Sequence, residues 1–139
     1  MIYINEWLPN PSGRDTEGEW FELYNDGAGS VNLHGWRLEN SAQKKFLLSG
    51  EIEPYGYLVI KRPELKLVLK NQDEELSLYN TLGKLIHRSS YKGTAPEGKG
   101  LSRVVGSEER FVFTETTSGM GNRVLTANIL NNAYPEGQL

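Results

Sequence analysis

The side chains able to do covalent or metal chemistry are few. There is no cysteine, and His34 and His87 are the only imidazoles. Nucleophilic catalysis needs a serine, threonine or cysteine activated by a base that a third group orients. No G-x-S-x-G elbow is present. His34 stands beside Gly35 at an expected bend and His87 within a strand. Both read as surface or hydrogen-bonding histidines. The carboxylates offer more. Asp15-Thr16-Glu17-Gly18-Glu19 sets three of them at alternate positions, with Asp26 beyond the next strand. Calcium takes about six to eight oxygen ligands, so Asp15, Glu17 and Glu19 are the metal candidates. The EF-hand pattern is absent. A carboxylate pair for glycoside hydrolysis would have to come from Glu6, Glu19, Glu22 or Glu39, whose ordinary place is the solvent face of a strand. P-loop, dinucleotide and zinc motifs are missing, and Gly98–Gly100 and Gly119–Gly121 read as turns. Neither a catalytic residue nor a cofactor is expected.

The basic residues form pairs and scatter: Lys44-Lys45, Lys61-Arg62, Lys66, Lys70, Arg88, Lys92, Lys99 and Arg103. Lysine at a sheet edge blocks edge-to-edge pairing, which accounts for several without a ligand. The alternative is a basic face that binds nucleic acid without sequence preference, with salt sensitivity as its signature. The whole chain argues against nucleic acid as a main partner, since 15 basic and 18 acidic residues leave a net charge of −3. Trp20, Phe21, Trp36, Phe46, Phe111 and Phe113 are expected in the core. Tyr24, Tyr55, Tyr57 and Tyr91 are read either as ordinary strand packing, the simpler account, or as surface residues, where a cluster would make a protein-binding patch.

These residues must be carried by short elements. The chain has 139 residues, of which 15 are glycine and 6 proline. That is one domain's length, and the turn content favours strands over long helices. β-Branched and aromatic segments alternate with turn residues every ~8–12 positions, the mark of a sandwich or barrel. Strands are expected at Ile2–Leu8, Glu19–Asn25, Val31–Asn40, Lys44–Leu48, Tyr57–Arg62, Glu75–Asn80, Lys84–Ser90, Lys99–Val105 and Arg110–Thr114. In the first, Ile2 and Ile4 share one face, Tyr3 and Asn5 the other. In the second, Phe21 and Leu23 oppose Trp20, Glu22 and Tyr24. Val31 and Leu33 share a parity that Trp36 and Leu38 break, which predicts a β-bulge or tight bend at His34-Gly35. Ser49 to Gly56 reads as a loop, and Glu64–Lys70 fits a helical turn or a short strand equally. No apolar run approaches the ~20 residues of a membrane helix. The start, MIYINEWLPNP, lacks the basic and apolar regions of a signal peptide.

The ordered motifs resemble the lamin tail domain family, in the form seen in bacterial members. They are Ile4-Asn5-Glu6 with Pro9-Asn10-Pro11, Gly18-Glu19-Trp20-Phe21-Glu22-Leu23-Tyr24-Asn25, and Val31-Asn32-Leu33-His34-Gly35-Trp36-Arg37-Leu38. Pro54-Tyr55-Gly56-Tyr57-Leu58-Val59-Ile60, Leu78-Tyr79-Asn80 with Gly83 and Ile86, and Gly100-Leu101-Ser102-Arg103 continue the series. His87 and Ser118-Gly119-Met120-Gly121-Asn122 depart from the family pattern. The resemblance implies an all-β, immunoglobulin-like β-sandwich of about 7–9 mostly antiparallel strands. The domain would span residues 1–123, and residues 124–139 would form either a tail laid over the sandwich or a linker. The resemblance further implies a non-catalytic interaction module, an accessory domain of a larger protein outside the cell or at its surface. Protein or cell-surface material is the partner it favours. Nucleic-acid binding and a calcium-stabilised extracellular module are the alternatives.

Overall fold

The computed structural model describes residues 1–12, 18–61 and 67–116. Within them lie eleven strands. They are β1 (Ile2–Leu8), β2 (Trp20–Asn25), β3 (Val31–Asn32), β4 (Arg37–Glu39), β5 (Lys45–Leu47) and β6 (Glu51–Ile52), followed by β7 (Tyr57–Lys61), β8 (Glu75–Tyr79), β9 (Leu85–Ser90), β10 (Gly100–Arg103) and β11 (Phe111–Thr114). All pairings are antiparallel. One sheet runs β11-β10-β1-β2-β7 and another β5-β4-β8-β9, with β3-β6 a two-stranded third. The fold is an immunoglobulin-like β-sandwich.

The core lies between the sheets. From the five-stranded sheet come Ile2, Ile4, Trp7, Phe21, Leu23 and Leu101. From the other side come Leu38, Leu76 and Leu78, with Leu33, Ile52, Leu67 and Leu69 closing one flank. Strict alternation would turn Trp7 away from Ile2 and Ile4. The register shifts between Ile4 and Glu6, so Asn5 has no partner on β2 and the parity resets. Trp7 thereby enters the core with no exposed surface.

The parity break after Leu33 is resolved by a turn between sheets. Trp36 N–H donates to the Leu33 carbonyl at 2.9 Å, with Gly35 at φ 86°. That is a type II turn, which requires a positive φ at its third residue. A Cβ at Gly35 would also lie 2.8 Å from Thr81 Cγ2. Val31 and Leu33 thus serve the small sheet, and Leu38 the four-stranded one.

Several expectations change. The run Val31–Asn40 is two strands, and the expected loop from Ser49 to Gly56 contains β6. Short strands of this kind carry too little period-two signal to be read from sequence. Tyr91 is buried, its hydroxyl donating to the Lys70 carbonyl at 2.7 Å and its ring 5.7 Å from that of Trp7. Trp20 is buried on the outward face of its sheet, beside Glu22 in the alternation, instead of in the core cluster. Residues 67–70 have no regular structure, and Leu67 and Leu69 are buried. The rest of the segment around residue 64, and the expected tail from residue 124, lie outside the described residues.

Candidate functional site

Three adjacent strands place a tyrosine at the same level. Tyr3 of β1 is the register partner of Tyr24 of β2, which is the partner of Tyr57 of β7. All three are half-buried and face outward. The rings of Tyr24 and Tyr57 stack at 4.8 Å. At the end of β10, Arg103 lays its guanidinium 4.3 Å from the centroid of Tyr3 and 5.9 Å from that of Tyr24. Cation–π contact of this kind is worth about 0.5–2 kcal/mol, more as water is excluded.

The arginine is anchored from behind. Its Nε donates to Asn5 Oδ1 at 3.2 Å and its Nη1 to the Ser107 carbonyl at 2.9 Å. Asn5 Nδ2 donates onward to Glu22 Oε2 at 2.9 Å. The bulge that sends Trp7 inward is therefore also what presents the Asn5 amide to Arg103. Burial pushes the Arg103 pKa down, and the surrounding tyrosines and Asp26 oppose it. Burial raises the Tyr3 hydroxyl, helped by the negative charge of Asp26. Burial likewise raises Tyr57, with Tyr24 and Glu22 adding to it. Asp26 is held low first by its hydrogen bond from the N-terminal ammonium, 2.7 Å away. Together Tyr3, Tyr24, Asp26, Arg103, Val105 and Glu108 line most of an open cleft of about 400 Å³.

The residues singled out for chemistry are placed otherwise. His34 is exposed, its N–H bonded to Asn32 Oδ1. His87 is buried, accepting from Ile4 N–H through Nδ1 at 2.8 Å, with Nε2 2.7 Å from the Glu108 carbonyl. Glu6, Glu19 and Glu22 do not lie on a solvent face: all are buried. Glu6 and Glu22 are register partners, yet neither lines the cleft. Glu39 accepts from Arg37 Nε at 2.6 Å. Of the calcium candidates, Glu19 accepts from the Leu69 N–H at 3.3 Å, while Asp15 and Glu17 lie outside the described residues. Among the described residues no three histidine or carboxylate groups are gathered to hold a metal. Of the scattered cations, Arg88 pairs with Glu75, Lys99 pairs with Glu115, and Arg103 is buried.

In the sequence, Tyr24, Tyr57 and Arg103 stand out separately, while Tyr3 and Asn5 show only as one face of the first strand. Strand register joins them, and only the bulge fixes that register. No helix among the described residues is long and apolar enough to cross a membrane. A family model for the lamin tail domain matches residues 1–93. No curated protein sequence matches the chain.

Proposed function

The chain belongs to the lamin tail domain family, and on that premise we propose that it is a non-catalytic interaction module whose tyrosine–arginine cleft receives a protein partner. The carrying observation is the row Tyr3, Tyr24 and Tyr57 with Arg103 laid over it. Tyrosine and arginine dominate binding energy at protein interfaces, because each supplies area and hydrogen bonding at low ordering cost. Here the guanidinium is already held by Asn5 and Ser107, so little order is lost when a partner docks. The module serves as an accessory domain of a larger protein, outside the cell or at its surface.

The test is a photo-crosslinking amino acid at position 57 of the full-length parent protein. It is expected to trap one protein, and Tyr24→Ala is expected to remove the adduct while the domain still unfolds cooperatively, at a melting temperature lowered by the lost stacking on Tyr57. Salt-sensitive capture of duplex or single-stranded DNA at low salt, in place of protein, overturns the choice of partner. Hydrolytic turnover by the isolated domain, lost on one point change, overturns the non-catalytic reading.

A further inference from the structure

A second surface lies on the opposite sheet. Leu47 of β5, Arg37 of β4, Tyr79 of β8 and Leu85 of β9 are successive register partners, forming one row across all four strands. Leu47 is 70% exposed and Leu85 41%. Between them the Arg37 guanidinium lies 4.3 Å from the Tyr79 ring centroid. Leu82, 89% exposed, sits on the loop joining Tyr79 to Leu85. Three of the seven large hydrophobics exposed among the described residues therefore lie along one end of one sheet, Leu47 and Leu85 on its two edge strands with Arg37 and Tyr79 between them. Single exposed leucines need no explanation, but a rimmed cluster marks an interaction site.

The charges around the row select the occupant. The carboxylates next to it on the sheet are already engaged: Glu39 with Arg37, and Glu75 with Arg88. Lys44 and Lys45 lead into Leu47, and Lys84 leads into Leu85. All three lysines are exposed and make no ion pair among the described residues. The face thus offers an apolar and aromatic centre flanked by Lys45, whose register partner Glu39 is bonded to Arg37 instead, and by Lys84. We propose that the Leu47–Arg37–Tyr79–Leu85 row docks an acidic protein segment carrying large apolar side chains. Leucines of the partner would cover Leu47, Tyr79 and Leu85, and its carboxylates would meet the lysines. Charge complementarity of this kind sets specificity and association rate more than raw affinity. The surface is separate from the Tyr3–Tyr24–Arg103 cleft, and it stands whether or not that cleft binds protein.

The test uses a fluorescent synthetic peptide with two leucines flanked by glutamates. Controls carry lysine for glutamate, or serine for leucine. The acidic apolar peptide is expected to bind and to shift the backbone amides of Arg37, Leu47, Tyr79 and Leu85 in NMR spectra of the unaltered protein. The double change Leu47→Ser, Leu85→Ser is expected to weaken binding on the order of tenfold, with unfolding unchanged because both side chains are exposed. Equal binding of the lysine peptide overturns the proposal. So do shifts confined to the tyrosine cleft, and so does a concentration-dependent dimer that Leu47→Ser abolishes, since a second copy is then the occupant.

Discussion

Two buried contacts at single residues carry more weight than their sequence positions suggest. Gly100 has an ordinary strand conformation, yet a Cβ there would fall within contact distance of Glu6 Oε2 and 3.1 Å from its Cγ and Cδ. Glu6 is fully buried and cannot swing out to solvent. Gly100→Ala is expected to cost about 1–3 kcal/mol by overpacking, read as a lower urea midpoint at an unchanged slope. Glu19 shows the other side of the same chemistry. Its carboxylate accepts from the Leu69 N–H in a buried setting. Glu19→Ala is expected to cost about 1–3 kcal/mol, since it strands a buried donor. The carboxylates were legible as a group but not by role. Alternation sets Glu22 on the face opposite Phe21 and Leu23, as the strand pattern gave it. Nothing in a single strand's alternation says that the opposite face is also covered.

At the scale of elements, two hairpins share one loop design. In the first, Asn40 N–H donates to the Lys44 carbonyl, Gln43 N–H to the Asn40 carbonyl, and Asn40 Oδ1 accepts from Ala42 and Lys44. In the second, Asn80, Lys84, Gly83 and Leu82 make the same four bonds. The left-handed position is Gly83 at φ 77° in one and Gln43 at φ 63° in the other. A side chain in that region costs roughly 1–2 kcal/mol, partly offset by the entropy a glycine loses on folding. Gln43→Gly is therefore expected to stabilise by about 0.5–1 kcal/mol, and Gly83→Gln to destabilise by a similar amount. Chemical denaturation of the pair checks both signs. The second loop was legible because Asn80-Thr81-Leu82-Gly83 carries a glycine where the backbone needs one. The first has the same backbone without the glycine, so the sequence marks only the flanking strands, Val31–Asn40 and Lys44–Leu48, and no turn between them. The break at His34-Gly35 was legible from parity, since two apolar pairs cannot share a core without an irregularity. The bulge at Asn5 was not. Strict alternation from Ile2 and Ile4 turns Trp7 outward, and only packing between the sheets decides that it turns in.

Across the whole molecule the two main sheets are fastened along one seam, where β1 packs beside β9. Trp7 Nε1 donates to Ser89 Oγ at 2.8 Å, and Ile4 N–H donates to His87 Nδ1. Because Nδ1 accepts, the imidazole's proton is on Nε2 and is given to the Glu108 carbonyl. The ring is packed edge-on to Tyr3 at 5.2 Å and lies 5.9 Å from Phe111. His87 therefore joins β9, β1 and the β10–β11 loop only in its neutral form. Burial lowers its pKa from the usual 6.5, the positive charge of Arg103 acts in the same direction, and the Glu108 carbonyl and carboxylate oppose both. The unfolded chain consequently takes up this proton at higher pH than the folded one. Stability from this group is fully present above about pH 6.5 and is lost progressively as the pH falls below it, towards the depressed folded value. Urea midpoints measured from pH 8 to pH 5 are expected to fall through that window for the unaltered protein. His87→Gln has no imidazole to charge, so it is expected to start lower and to lose less over the same range. Parallel curves for the two proteins would show that carboxylates elsewhere carry the acid sensitivity and that this seam does not.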